Sequence, residues 1–203
     1  STSTTVTITI NDVVPSISYS LNEIIETLGV SINPHSSPTN IGGAVTSWEI
    51  SPDPGPHFHF NDFNGVISGI PGALLTRTQY TVYANNSGGT SIAYVNVTIN
   101  DAVPGSFSYN PVDMDLTLNQ AMTPNTVSPG GGAVTSWEIS PDVPSGLNFG
   151  SSNGTIWGTP TVLQTSAVTY TIWANNSGGS TFTTVTITIN DEIPSFSYSP
   201  DEF

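Results

Sequence analysis

Three aspartates at matching positions are the clearest candidates for chemistry in this chain. Asp12, Asp101 and Asp191 each follow an alternating segment and an asparagine, and each has a proline three residues later. Calcium takes six to eight oxygen ligands, and a boundary between domains can collect carboxylates and carbonyls from both sides. We therefore predict calcium at these positions. The alternative is that each Asn-Asp pair only forms a turn at a solvated strand end.

A histidine pair is a second metal candidate. His57 and His59 alternate around Phe58, so on a strand both rings would point to the same side and could share a metal with Asp62 or His35. A later segment of the chain, which otherwise matches this region, has Ser145 and Leu147 near these positions. The alternative interpretation is two surface histidines that flank a core phenylalanine.

No residue is predicted to be catalytic. Glu49 and Glu138 recur, but each is expected on the outward strand face opposite a tryptophan. A hydrolytic site needs an activated nucleophile or a carboxylate pair with a raised pKa in a cleft. The chain is therefore predicted not to be an enzyme.

Three aromatic residues are predicted at outward positions, namely Tyr83, Trp157 and Trp173. Exposed aromatic rings can stack on sugars or anchor a partner protein. The alternative is packing against a neighbouring loop or module. We expect the three to lie on different sheets, which would prevent them from forming one carbohydrate platform.

Four Asn-X-Ser/Thr sequons are glycosylation candidates, at Asn85, Asn96, Asn153 and Asn175. Asn85 and Asn175 are repeat-equivalent and are predicted in hairpin loops, where a glycan would project into water. Serine, threonine and asparagine are common in the chain, so some sequons would also arise by chance.

The composition excludes several classes of function. The chain carries one cationic side chain, Arg77, and fifteen carboxylates, for a formal net charge of -14. A nucleic-acid partner is excluded, because phosphate binding needs a basic surface. The lack of cysteine and lysine excludes thiolate and Schiff-base chemistry. No apolar run reaches the roughly eighteen residues that span a bilayer, so we expect no membrane insertion by this segment.

An internal repeat dominates the sequence. Residues 42–53 recur unchanged at 131–142, and residues 80–89 recur with two substitutions at 170–179. Residues 1–12 are predicted to be the last strand of a preceding repeat, because they copy the end of the second repeat. Two complete repeats are predicted at 13–101 and 102–191, and residues 192–203 are predicted to start a following one.

Alternating polar and apolar residues predict antiparallel strands with one face on a core. Tyr80, Val82 and Ala84 alternate in this way, and residues 85–89 are predicted to form a hairpin loop of several residues. Short strands and frequent Gly and Pro turns in units of roughly ninety residues predict an all-β fold of Greek-key β-sandwiches, about seven strands each. Trp48 and Trp137 are expected in the two cores.

The second repeat resembles a known family over nearly its whole length. Pro-Ser-Gly-Leu at 144–147, Asn-Gly-Thr-Ile-Trp-Gly-Thr-Pro at 153–160 and the segment 170–179 are similar to the immunoglobulin-like He-PIG family, which is related to cadherin-like modules of microbial surface proteins. The first repeat departs from the pattern at residues 56–60. The resemblance implies tandem immunoglobulin-like sandwiches in large extracellular or cell-surface proteins, used for adhesion or as spacers. Cadherin-like arrays stiffen their linkers with calcium, which agrees with the prediction for the recurring aspartates.

The predicted function is a non-catalytic structural or adhesive stalk segment of a large extracellular repeat protein. Its expected partners are neighbouring repeats of the same polypeptide, with self-association or a surface glycan or protein as further candidates. The alternatives are a subunit of a self-assembling extracellular filament and a carbohydrate-binding accessory module. Calcium at the repeat junctions is the only cofactor that the sequence suggests.

Overall fold

The computed structural model describes residues 3–197, apart from the side chains of residues 33–36. The chain divides after Asp101 into two compact units, unit 1 up to Asp101 and unit 2 from Ala102. All helices and strands assigned to the described residues are β-strands, which confirms the all-β prediction. The described residues contain no helix long and apolar enough to cross a membrane.

Unit 1 is built from one four-stranded sheet and a smaller set of strands that packs on it. Its strands are β1 (Ile17–Ser18), β2 (Glu23–Thr27), β3 (Ile32–Ser36), β4 (Thr39–Asn40), β5 (Ser47–Ser51), β6 (His59–Phe60), β7 (Ile67–Gly69), β8 (Leu75–Asn86) and β9 (Gly89–Asn100). The four-stranded sheet has the order β2-β9-β8-β5, with β2 parallel to β9 and the other pairs antiparallel. The other strands pair as β3-β7-β6 and β1-β4.

Unit 2 repeats this arrangement with fewer regular strands. They are β10 (Asp113–Thr117), β11 (Ser136–Ser140), β12 (Leu147–Phe149), β13 (Ile156–Gly158), β14 (Gln164–Asn176) and β15 (Gly179–Asn190). The four-stranded sheet has the order β10-β15-β14-β11, and β12 pairs with β13. Single bridges, Pro104 to Gly131 and Asn125 to Ile156, stand where unit 1 has the β1–β4 and β3–β7 pairs.

The alternation in the sequence sets the core of each unit. Tyr80, Val82 and Ala84 of β8 are buried, as predicted, and their copies in β14 are buried too. The predicted core tryptophans, Trp48 and Trp137, are 9% and 5% exposed. Because successive side chains of a strand point to opposite faces, the residues between them lie on the outer face of each four-stranded sheet.

A turn glycine, a tryptophan and a tyrosine pack together in each core. In unit 2, Gly154 has φ +69° and lies on the Trp137 indole, so that an added Cβ would come within 2.8 Å of the ring. The Tyr109 hydroxyl donates a hydrogen bond to the Gly154 carbonyl. The tight Asn-Gly turn therefore needs glycine both for its backbone conformation and for its contact with the ring. The matching residues of unit 1 are Gly65, Trp48 and Tyr19.

The prediction that residues 1–12 are the last strand of a preceding repeat stays a prediction. Residues 3–12 are not assigned to a strand, and Val6, Ile8 and Ile10 are exposed. The nearly identical segment at the end of unit 2 belongs to β15, which pairs with both β10 and β14. Alternation alone makes a segment suited to a sheet, and the strand forms only where neighbouring strands supply backbone partners. Residues 198–203 of the predicted following repeat lie outside the described residues.

The hairpin between β8 and β9 is also tighter than predicted. The strands run to Asn86 and resume at Gly89, so Ser87 and Gly88 alone form the turn. The Asn86 side-chain oxygen accepts the backbone N–H groups of Gly88 and Gly89, at 2.8 and 3.2 Å. This local side-chain bonding closes the turn and lets the strands extend into what the sequence suggested was loop.

Candidate functional site

One asparagine holds the segment that enters unit 1. The Asn86 Nδ2 donates to the carbonyl of Val13 at 2.6 Å and to that of Ala44 at 3.1 Å. The same side chain closes the β8–β9 turn through its oxygen. It therefore ties three separate parts of the unit together, and we call this contact the entry clamp.

Unit 2 has the same clamp with the same distances. The Asn176 Nδ2 donates to Ala102 at 2.6 Å and to Ala133 at 3.1 Å, while its Oδ1 accepts from Gly178 and Gly179 at 2.8 and 3.2 Å. Both donors and the oxygen of each amide are thus used. The entry clamp of unit 2 comprises Asn176, Ala102 and Ala133.

Glycine is required where the entering segment crosses the loop that precedes β5 or β11. An added Cβ on Gly43 would lie 1.8 Å from the Val13 oxygen, and one on Gly132 would lie 1.7 Å from the Ala102 oxygen. No real Cβ makes such contacts, so the backbones can approach only without a side chain. The two segments that recur with least change, 42–53 and 80–89, meet here with the entering chain.

Asp12 and Asp101 immediately precede these entering segments, and Asp191 follows the last strand of unit 2. In unit 1 the Asp12 backbone N–H donates to the Ser87 hydroxyl, and that hydroxyl donates to the Asp12 carboxylate, both at 2.9 Å. Asp12 and Asp191 are exposed and Asp101 is half-buried.

The described side chains fit calcium poorly at these positions. Among the described residues there is no group of three or more His, Cys, Asp and Glu that could hold a metal ion. Calcium needs six to eight oxygens, so backbone carbonyls or water would have to supply most of them. Calcium at Asp12, Asp101 and Asp191 stays a prediction, which thermal melts with excess calcium and with chelator would check.

The histidine pair flanks a core residue. Phe58 is buried between half-buried His57 and exposed His59, and its ring meets the Tyr80 ring edge-on at 4.9 Å. His57 Nδ1 lies 3.3 Å from the carbonyl oxygen of Ala73. The described side chains bring no metal group together here, and the side chain of His35 lies outside the described residues. The arrangement matches the interpretation of two histidines beside a core phenylalanine.

A row of three side chains crosses the outer face of each four-stranded sheet. In unit 1, Glu49 of β5 pairs with Tyr83 of β8, which pairs with Ile92 of β9. In unit 2 the row is Glu138, Trp173 and Phe182. Both glutamates are exposed, as predicted. We call these sets the outer-face rows.

The predicted outward aromatics are less exposed than expected at two positions. Tyr83 and Trp173 lie on the outer face but are half-buried, because directly opposite neighbours on both sides cover part of each ring. Trp157 is 38% exposed and belongs to the β12–β13 sheet. Trp157 and Trp173 are therefore on different sheets of unit 2, as the sequence suggested.

The sequons occupy different environments. Asn96 is only 8% exposed, and its Nδ2 donates to the Asn22 carbonyl at 3.4 Å. The side chain of Asn96 is therefore covered in the folded unit by β2 and the residue before it, and its glycosylation stays a prediction. Asn85 and Asn175 lie in β8 and β14 rather than in loops, and both are half-buried. Asn153 is exposed in a turn, where its Oδ1 accepts the Thr155 N–H at 3.1 Å.

The side-chain oxygen of Asn85 is engaged within its own hairpin. It accepts from the Thr90 hydroxyl at 2.6 Å, while the Nδ2 group donates to Glu49 at 3.3 Å. Asn175 accepts from Ser180 in the same way. Glycosylation of Asn85, Asn153 and Asn175 stays a prediction.

Arg77 is committed to an ion pair in unit 1. Its guanidinium donates to both carboxylate oxygens of Glu23, at 2.8 and 2.9 Å. The hydrogen bond from Arg77 lowers the pKa of Glu23, and the same bond raises the pKa of Arg77. Both groups are well exposed, so the pair contributes little to stability.

Tyr109, which is buried, and Tyr19, which is half-buried, have raised hydroxyl pKa values. Burial raises the pKa of the Tyr19 and Tyr109 hydroxyls well above the ordinary value. Each hydroxyl donates to the carbonyl of a turn glycine, Gly65 or Gly154. These tyrosines hold the Asn-Gly turns onto the core.

Sequence reasoning missed the entry clamp and the turn tyrosines. The second asparagine of Asn-Asn-Ser-Gly-Gly looked like an ordinary loop residue, yet Asn86 bonds to Val13, 73 residues away. One available signal was that Asn86 and Asn176 occupy the same place in a segment that recurs with little change. The Gly-Gly pairs at 42–43 and 131–132, which also recur, were a second signal. Tyr19 and Tyr109 also recur at matching places, before the first strand of each four-stranded sheet.

One family model matches the second repeat together with the end of the first. Residues 97–190 match the model of the He-PIG family, whose description reads "Putative Ig domain". The predicted resemblance is confirmed. The He-PIG match begins in β9 and so includes the segment that enters unit 2. Together with the paired sheets, it supports the predicted fold of tandem immunoglobulin-like β-sandwiches. A search of the curated proteins gave no match.

Solved structures similar to this chain include immunoglobulin and cadherin-repeat fragments. A titin I-band fragment, I67–I69, is 15% identical with a TM-score of 0.38, and the match covers 87% of this chain and 66% of that one. Extracellular domains 3–5 of Drosophila OTK are 14% identical with a TM-score of 0.48, covering 86% and 62%. Human Protocadherin-24 EC1-2 is 12% identical with a TM-score of 0.38, covering 91% and 100%. The chain thus spans less than two thirds of the titin and OTK fragments, and at these identities the likeness concerns the fold alone.

Proposed function

We propose that this chain is a stalk segment of a large extracellular repeat protein, with neighbouring repeats of the same polypeptide as its main partners. The observation that carries the proposal is the entry clamp. Each unit fixes its own entering segment through an asparagine that bonds to Val13 or Ala102 at 2.6 Å. A segment held in this way has little freedom to act as a flexible linker.

The entering segments are restricted further by their own sequence. Pro15 and Pro104 fix one backbone angle each, and they also restrict the residue before them. The Gly43 and Gly132 N–H groups donate to the carbonyls of Val14 and Val103, both at 3.2 Å. Tandem repeats with restricted linkers are suited to act as extended spacers. A formal net charge of -14 would keep such an array soluble.

The two alternatives have less support. A filament built by strand donation would leave a unit without its last strand, whereas β9 and β15 each pair within their own unit. A carbohydrate-binding module would need aligned aromatics, whereas Trp157 and Trp173 lie on different sheets. The role that we propose is non-catalytic.

Residual dipolar couplings of the whole chain would test the proposal. If the entering segments are fixed, the two units should share one alignment tensor, and the amides of Ala102, Val103 and Gly105 should have order parameters near those of the strands. Independent tensors for the two units, with low order parameters in 102–105, would contradict the stalk.

Asn176→Asp provides the matched variant. Aspartate keeps the oxygen that accepts from Gly178 and Gly179 but loses the donor to Ala102 and Ala133. We expect the hairpin turn to persist while residues 102–105 gain motion. If 102–105 stay as ordered as in the parent, the clamp is not what restrains the entering segment.

A further inference from the structure

The outer-face rows present the same chemistry twice. Each places a carboxylate, an aromatic ring and a large apolar side chain at directly opposite positions on three adjacent strands. Directly opposite residues have Cβ atoms about 5 Å apart, so the three groups are contiguous. The repeat tolerates Tyr to Trp and Ile to Phe between Tyr83 and Trp173 and between Ile92 and Phe182, which keeps the character of each position.

The apolar end of each row is open to solvent. Ile92 is 48% exposed and Phe182 is 64% exposed, on sheets whose other face is the core. Tyr94 enlarges the surface of unit 1, since it lies two residues along β9 from Ile92 and is 50% exposed. Contiguous exposed apolar surface can mark an interaction site, and these residues adjoin the ring and the carboxylate of their row on one sheet face.

We propose that the outer-face rows bind arginine or lysine side chains of a basic polypeptide. The carboxylate would pair with the cationic head, the half-buried ring would contact the cation through its π face, and Ile92 or Phe182 would cover the aliphatic stem. Arginine and lysine bury their stems along apolar surfaces while the head group stays at the polar end, which matches the order of groups in the row.

The charges of this chain indicate that the cation comes from a different molecule. The chain has one cationic side chain, Arg77, and it is already bound by both oxygens of Glu23. A second copy would bring the same committed arginine and the same net charge of -14. A basic partner has the complementary charge and a second copy of this chain does not.

A single row should bind weakly, and an array should bind more strongly. An exposed cation–π contact changes affinity by a factor of about two to five, and an exposed ion pair by up to about fivefold. Each immunoglobulin-like unit carries one row, so a partner with several basic segments would gain from multivalency.

The experiment is an NMR titration of the whole chain with an octapeptide of alternating arginine and serine. The same peptide with citrulline in place of arginine is the uncharged control. We expect the arginine peptide to shift the Trp173 indole N–H resonance, and the citrulline peptide to shift it at least about fivefold more weakly. An unchanged indole resonance with the arginine peptide would overturn the proposal.

Two variants, each of which removes one carboxylate, distinguish binding at the row from nonspecific electrostatic attraction of a basic peptide to an acidic protein. Glu138→Gln removes the carboxylate of the row, while Asp115→Asn removes an exposed carboxylate that pairs with Thr188, about 20 Å along β15 from Phe182. We expect the dissociation constant to rise about fivefold in the first variant and less than about twofold in the second. Equal increases would overturn the proposal, as would a shift of the Trp173 indole caused by cellohexaose and not by the arginine peptide.

Discussion

The side chain of Asn86 donates a hydrogen bond to the carbonyl of Val13 at 2.6 Å, and Asn176 does the same to Ala102. In each unit the donor lies in the last hairpin and the acceptor lies where the chain enters. A residue of a tight hairpin turn therefore binds a segment 73 residues away in the sequence. The first residues of each unit become part of its folded structure because the hairpin near its end binds them.

Removing the clamp asparagine should destabilise its own unit. Asn176→Ala deletes four hydrogen bonds, most of whose partners water can reach, so we expect a loss of about 1–2 kcal/mol. Residue-resolved hydrogen exchange measures this, because it reports on the two units separately.

Asn86→Ala is the matched variant in unit 1. The two substitutions lie in different units and share no hydrogen-bond partner, so each unit of the double variant should show the same loss as in the corresponding single variant. Unchanged protection of β14 and β15 in Asn176→Ala would show that the clamp is dispensable for stability.

A methyl group at the crossing point should be far more costly than one nearby. In Gly132→Ala the new Cβ would lie 1.7 Å from the Ala102 oxygen, so the backbones must separate. We expect a loss of at least about 2 kcal/mol.

Gly130→Ala is the control for this substitution. An added Cβ at Gly130 meets no atom within 4 Å, and we expect a change within about 0.5 kcal/mol. Thermal melts of both variants provide the comparison. Equal midpoints would contradict the close approach of the entering segment to Gly132.

The sequence predicted the sheets better than the contacts that close each unit. Alternation correctly placed Tyr80, Val82 and Ala84 in the core, because that pattern reflects only which face of a strand is buried. Alternation could not show that Asn96, on the opposite face, is covered at the edge by β2 and Asn22, since strand order depends on the whole fold.

The candidate site was predicted only in part. Repetition indicates that the end of each repeat is important, and the recurring aspartates lie there. The residue that makes the contact, Asn86, falls within the predicted loop, and its partner Val13 is 73 residues distant. Local pattern cannot assign such a partner, whereas the unchanged Gly43 and Gly132 were a usable sign of a close backbone approach.

Loss of the Tyr109 hydroxyl should weaken unit 2. Tyr109→Phe keeps the ring, which meets Phe107 at a centroid distance of 6.4 Å. It removes the hydroxyl that donates to the carbonyl of Gly154, a buried residue. An unpaired buried acceptor costs about 1–3 kcal/mol. Chemical denaturation monitored by residue-resolved hydrogen exchange would measure the loss in the free energy of unfolding.

Tyr94→Phe serves as the control, because Tyr94 is 50% exposed. Water can bond to its hydroxyl in both the folded and the unfolded chain, so we expect a change within about 0.5 kcal/mol. If the free energy of unfolding falls equally in both variants, the Tyr109–Gly154 hydrogen bond contributes no more to stability than an exposed hydroxyl does.

Alkaline pH should destabilise the protein through Tyr19 and Tyr109. Burial raises the pKa of Tyr19 and Tyr109 in the folded state, whereas in the unfolded chain tyrosine has a pKa of about 10. Below about pH 10 both states keep the proton and the stabilising contribution of these hydroxyls is complete. Above it the unfolded state loses protons that the folded state retains, so the free energy of unfolding falls as pH rises. The pH dependence of urea unfolding should therefore steepen above pH 10, and Tyr109→Phe should make it shallower. Tyrosinate absorbance that develops fully near pH 10, while NMR still shows folded units, would contradict the raised pKa values.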